Sequence, residues 1–104
     1  MKNTSNIREL LQAFLVLRNE DEAWRFLRDL LTEDEIREFS RRWEVAQLLV
    51  AKNSYVKIEK QTGMSSTTIA RVSKFLKGKF GGYQLVLDRL HHHSHSVSPV
   101  GSDT

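Results

Sequence analysis

The sequence predicts an all-α protein of about six helices. Three observations carry this. Proline occurs once in 104 residues, at Pro99, so the chain before it holds no residue that must break a helix. Apolar side chains recur at spacings of three and four, the helical period, with no strand-like alternation and no internal repeat. Clusters of Asn, Asp, Ser, Thr and Gly fall between these stretches, where caps and turns belong.

The elements follow in order. Ser5 or Asn6 can cap a first helix with the stripe Ile7, Leu10, Leu11, Phe14 and Leu15. Asn19 or Asp21 opens a second, with Trp24, Leu27, Leu30 and Leu31 on its apolar side. Glu20, Asp21 and Glu22 suit its start, because carboxylates favour the positive end of the helix dipole. Thr32 and Glu35 form a T-x-x-E capping box. It starts a long third helix to about Lys52, with Ile36, Phe39, Trp43 and Ala46 on one face and Val45, Leu48 and Leu49 broadening it. A helix apolar on more than one side is buried deeply or shared with a second subunit. Asn53 and Ser54 end it. A short fourth helix is expected over Tyr55–Thr62 with Val56 and Ile58 inward, then Gly63. A fifth runs from about Ser66 to Lys77 with Ile69, Val72, Phe75 and Leu76 inward. Gly78, Gly81 and Gly82 mark a basic-aromatic loop, and a sixth helix spans roughly Tyr83–Leu90 with Leu85, Val86, Leu87 and Leu90. Residues 1–90 therefore read as one domain, and 91–104 as a polar, His-rich disordered tail.

Composition narrows the function. The chain has no cysteine, which excludes disulfides, Cys-ligated zinc and thiol chemistry, and fits a reducing compartment. Neither a membrane-spanning run nor a signal peptide is visible, so a cytoplasmic location is expected. The net charge of +3 is unevenly placed. Residues 54–82 carry Lys57, Lys60, Arg71, Lys74, Lys77 and Lys79 against Glu59, a local charge of +5, while each flanking stretch carries −1. A cationic patch of this kind suits a phosphate backbone.

The same stretch holds the informative motif. A short helix, a glycine turn and a second helix over residues 55–77 form a helix-turn-helix. Gly63 can take the left-handed conformation that ends one helix, and Ser65 or Ser66 can cap the next. Ile58, Met64, Ile69 and Val72 fall where two crossed helices touch. That leaves Ser65, Ser66, Thr67, Thr68, Arg71 and Lys74 as candidate DNA contacts. Small hydroxyls stand at the start of the second helix, which meets base edges in the major groove, and cations follow. Arg71 can bond guanine bidentately or clamp a phosphate. Lys57 and Lys60 sit where the first helix would cross the backbone. Glu59, four residues before the glycine, must point outward or the helices splay.

The run from Leu31-Thr32-Glu33-Asp34-Glu35, through Arg41-Arg42, to Gly63 and Thr68-Ile69-Ala70-Arg71 resembles the Trp repressor family. Arg42-Trp43, Thr68-Ile69 with Arg71-Val72, and Gly81-Gly82-Tyr83 resemble its Trp-repressor-like branch of YerC/YecD type. The resemblance covers about residues 24–90. It implies an intertwined homodimer with two helix-turn-helix heads, and a pseudo-palindromic operator with half-sites about one turn apart. It also implies ligand positions at Thr32, Arg42 and Arg71. Tryptophan-sensing members, however, carry glycine after the recognition-helix arginine, where this chain has Val72. Its methyl groups would fill space an indole needs. No tryptophan corepressor is therefore expected, and Arg42 can instead bind another anion or pair with Glu38 one turn earlier.

Other chemistries have less behind them. His91, His92, His93 and His95 could ligate a transition metal, but a terminal cluster lacking ordered support reads as an incidental tail. Trp24, Phe39 and Trp43 read as core. Tyr83 and Phe80 could touch DNA, though packing of the last helix explains them as well. Glu33, Asp34, Glu35 and Glu38 crowd a helix start, where the dipole accounts for them. With no Ser-His-Asp set, phosphate loop or metal-ligand spacing, no enzyme is expected. The competing readings are a dimeric transcription regulator, most simply a repressor, on double-stranded DNA, and a helical dimeric adaptor using its basic face on an acidic protein.

Overall fold

The computed structural model describes the backbone of residues 4–97 and the side chains of residues 4–92. Those residues form six helices: α1 Thr4–Leu15, α2 Glu20–Leu30, α3 Glu33–Val50, α4 Tyr55–Thr62, α5 Ser66–Leu76 and α6 Gly82–Val97. They fall into two compact units that divide within α3, after Arg37.

Local chemistry sets the boundaries of the first unit. The Asn19 side chain caps α2 by accepting from the Glu22 amide at 2.9 Å, and the Glu22 carboxylate reaches back to the amide of Arg18. The expected capping box is present at α3. The Glu35 amide donates to Thr32 Oγ1 at 3.1 Å, and the Thr32 amide donates to Glu35 Oε1 at 2.9 Å. Two otherwise orphaned donors are satisfied reciprocally. Phe14 meets Phe26 edge to face at 5.5 Å, an arrangement the ring quadrupoles favour. No residue of α1 or α2 is buried, and Leu11, Leu15, Val16 and Trp24 are more than half exposed.

The second unit holds the core. Val45 and Ala46 of α3, Ile58 of α4, Met64 of the turn, and Ile69 and Val72 of α5 are buried together, with Trp43, Leu48, Leu49, Leu76 and Tyr83 partly buried against them. Burying each large aliphatic chain contributes about 1.5–3 kcal/mol. Trp43 stacks on Tyr83 at 6.2 Å and 23°, which ties the start of α6 to α3. A bond from Gln61 to Glu44 joins α4 to α3 at 3.3 Å. The end of α3 is closed by backbone geometry: Lys52 stands at φ 68°, its amide donates to the Leu49 carbonyl, and the Asn53 amide donates to that of Leu48. This is the Schellman pattern, and the Asn53 side chain adds a second donor to Leu48 O at 3.0 Å.

Ser5 and Asn6 lie inside α1 rather than capping it. Trp24 and Phe39, expected in the core, are about half exposed at 52% and 48%. Val56 and Phe75, expected inward, are exposed. Phe75 is one residue, about 100° of helix, from Leu76, which packs against the core, whereas Val56 is two residues, about 200°, from buried Ile58 and so lies on the opposite side of α4. Helix α6 continues through the histidines to Val97 instead of ending at Leu90, because none of those residues prohibits a helix and Pro99 is the first that would. The remainder of the expected tail, 98–104, lies outside the described residues.

Candidate nucleic-acid interface

The basic stretch folds into α4, a three-residue turn and α5. Ser54 caps α4 by accepting from the Lys57 amide at 3.2 Å. Gly63 ends it at φ 74°, ψ 5°, its amide donating to Glu59 O. A Cβ there would meet no atom within 4 Å, so the demand for glycine is conformational and not steric. Thr62, buried, fixes the turn. Its hydroxyl donates to Ile58 O at 2.7 Å and accepts from the Met64 amide at 3.1 Å. Sequence reading missed this residue, although a threonine beside the turn glycine is the available signal. Ser65 caps α5 by accepting from the Thr68 amide.

Packing then divides the faces of α5. Ile69 and Val72 point into the core with Ile58. Ser66, Thr67, Ala70, Arg71 and Lys74 are exposed, as are Lys57 and Lys60 on α4. Thr68 is half-buried, and Ser65 donates its hydroxyl proton to Thr68 Oγ1 at 3.1 Å. These two are thus engaged in the cap, whereas Ser66 and Thr67 present free-standing hydroxyl faces at the helix start. Ala70 was not among the expected contact residues, since an alanine carries no polar group to flag it. Glu59, expected to point outward, is half-buried. Of the two loop aromatics, Tyr83 packs on Trp43, and Phe80 is 88% exposed beneath Lys79, whose Nζ lies 5.7 Å from the ring centre.

The ligand positions implied by the resemblance are differently placed. Thr32 lies in the first unit and is taken up by its capping box. Arg42 is in the second, paired with Glu38 at 3.3 Å and lying 5.4 Å from the Phe39 ring centre. Arg71 is exposed on α5. Val72, beside it in sequence, is 2% exposed, so its side chain is part of the packed core. The second unit also carries an open apolar groove of about 560 Å³ lined by Trp43, Phe75, Phe80, Tyr83 and Val86 with the loop glycines. Among the described residues no group of acidic, His or Cys side chains is placed to hold a metal ion. No helix among them is long and apolar enough to cross a membrane.

Residues 5–91 match the sequence profile of the family described as Trp repressor protein. The chain is 40% identical over 82 residues, 79% of each sequence, to a Bacillus subtilis (strain 168) protein named uncharacterized protein YerC. It is similar to the crystal structure of a TrpR-like protein from Eubacterium eligens, with a TM-score of 0.80 and 40% identity over 86% of this chain and 92% of that one. It is likewise similar to a proposed Trp repressor from Staphylococcus aureus, with a TM-score of 0.79 and 36% identity over 84% and 87%.

Proposed function

The chain belongs to the Trp repressor family, a family of DNA-binding regulators, and on that footing we propose that it is a sequence-specific transcriptional repressor acting as a homodimer on a pseudo-palindromic operator. The observation that carries the reading is the division of α5. Its Ile69 and Val72 are locked into the core while Ser66, Thr67, Arg71 and Lys74 stand clear of it. A rigid helix with small hydroxyls at its N-terminal end can enter a major groove. Arg71 then reads a guanine edge or clamps a phosphate, and Lys57, Lys60 and Lys74 neutralise the backbone. Ser65 and Thr68 serve this interface by holding the end of α5, through the cap they share.

The dimer is supported by apolar surface that one chain leaves open. Phe75, Phe80 and Val86, which line one apolar groove, are 55%, 88% and 46% exposed, and an exposed apolar groove of this kind marks an interaction surface. The reading invokes no corepressor: Val72 is packed in the core beside Ile58 and Ile69, and Arg42 pairs with Glu38. A protein of this kind works in the cytoplasm, beside the DNA it regulates.

Selection of bound duplexes from a random pool at near-physiological salt tests the proposal. Enrichment of a palindrome with half-sites about one turn apart is the expected result. Salt-sensitive binding without an enriched sequence would refute it and leave a general electrostatic surface, open to an acidic protein partner.

A further inference from the structure

We propose that Ala70 is a specificity-determining residue that recognises the 5-methyl group of a thymine within each half-site. The inference rests on the reading of α5 as the recognition helix. Hydroxyl, amide and guanidinium groups are the obvious readers of bases, and the exposed face of α5 offers few of them. Ser65 and Thr68 are bound to each other in the cap. What remains in the N-terminal two turns is Ser66, Thr67, Ala70 and Arg71, all exposed.

Their helical spacing orders them. Thr67 lies near the middle of the exposed face, with Ala70 on one side of it and Arg71 on the other, since successive residues turn by about 100°. Ala70 therefore sits beside the polar readers and on the side away from Ile69 and Val72, where it contributes nothing to the core. An alanine at such a place lets the helix approach the base edges closely and presents a single methyl. The one apolar feature of the major groove is the thymine methyl, and alanine is among the side chains that contact it. The competing explanation is that alanine is simply the best helix former. That explanation makes Ala70 indifferent to the base opposite it.

The experiment uses the full chain and the duplex enriched by selection. Each thymine of a half-site is replaced in turn by uracil, which removes one methyl group and no hydrogen-bonding atom. Affinity is measured for the parent, for Ala70→Gly and for Ala70→Ser. At one position the parent is expected to bind uracil about fourfold more weakly, the effect of burying about one methyl. Both variants are expected to lose most of that discrimination. Comparing thymine with uracil within each protein cancels any change in helix stability, and Ala70→Ser serves should the glycine variant fail to fold. An enriched half-site without thymine, or a parent indifferent to every replacement, overturns the role of Ala70 while leaving the DNA reading intact. Discrimination retained in full by both variants does the same. Selection that enriches no sequence overturns both.

Discussion

Ser65 and Thr68 close on each other at the start of α5: the Thr68 amide donates to Ser65 Oγ at 3.2 Å, and the Ser65 hydroxyl donates to Thr68 Oγ1 at 3.1 Å. Two of the hydroxyls at the head of the second helix are thereby committed to its end. Ser66 and Thr67 remain outward. Ser65→Ala removes the cap and is expected to lower stability by about 1 kcal/mol. Ser66→Ala is expected to change it by less than about 0.5 kcal/mol. Urea unfolding of the two variants at equal chain concentration checks the contrast, and equal losses would refute the assignment of Ser65 as cap.

Gly63 stands at φ 74° with open space where a Cβ would go. Gly63→Ala is expected to cost about 1–2 kcal/mol from backbone conformation alone. Gly63→Asn should recover part of that, because asparagine tolerates the left-handed region better. Thermal unfolding of both variants reads the difference. A steric clash would instead penalise the larger side chain more.

Ile58 and Ile69 are both fully buried and belong to one cluster. Ile69→Ala is expected to cost about 2–5 kcal/mol, including the cavity it leaves. The double variant with Ile58→Ala should depart from additivity, since neighbours in one core share that cavity. A double-mutant cycle by denaturant titration measures the coupling. Additive losses would place the two side chains in separate environments.

DNA binding separates the cations. Arg71→Ala should cost about 1–3 kcal/mol toward the selected operator and relax specificity at one base pair, with the dimer intact. Lys57→Ala and Lys60→Ala should instead weaken all duplexes alike and each reduce the salt slope by about one. Titrations at several salt concentrations distinguish these outcomes, and an unchanged operator affinity for Arg71→Ala would remove α5 as the reader.

Phe80 gives the dimer its own test. It is 88% exposed at the rim of the apolar groove, so its replacement disturbs little inside one chain. Phe80→Glu is expected to leave helical content unchanged and to shift sedimentation at micromolar concentration from dimer to monomer. A dimer that survives the change excludes this groove from the interface.

The helices were legible because their signals are local. Thr32 with Glu35 wrote a cap into four residues, and the structure carries both of its bonds. Gly63 wrote a turn, and it adopts the left-handed conformation anticipated for it. Ile58, Ile69 and Val72 were legible as core because helical period alone selects them. Phe75 was misplaced since an apolar side chain near the core stripe looks the same in sequence as one within it, and Val56 since an eight-residue helix has too few apolar positions to show which side is covered. Phe39 and Trp24 were misplaced for a related reason: a pattern shows that a face is apolar and not which molecule covers it. Within the candidate interface, Ala70 and Thr62 escaped notice. One has no polar side-chain atom, and the other acts through local bonds, to the carbonyl four residues before it and from the amide two residues after it, that an apolar periodicity does not flag. The His-rich segment misled because polarity was taken for loss of helix, and α6 runs on through it.

Lys52 closes α3 in a conformation that suits glycine, at φ 68°. A glycine would adopt this conformation without the cost that a Cβ carries there. Lys52→Gly would relieve about 1 kcal/mol or more of backbone strain, offset in part by the added freedom of the unfolded chain. It would also remove a cation from the negative end of the α3 dipole, an attraction that salt weakens. The two effects respond differently to ionic strength, so the glycine variant should gain on the parent as salt is raised. The joint leading into the helix-turn-helix thus sets a cation at a helix C-terminus against a left-handed backbone, and ionic strength separates the two contributions.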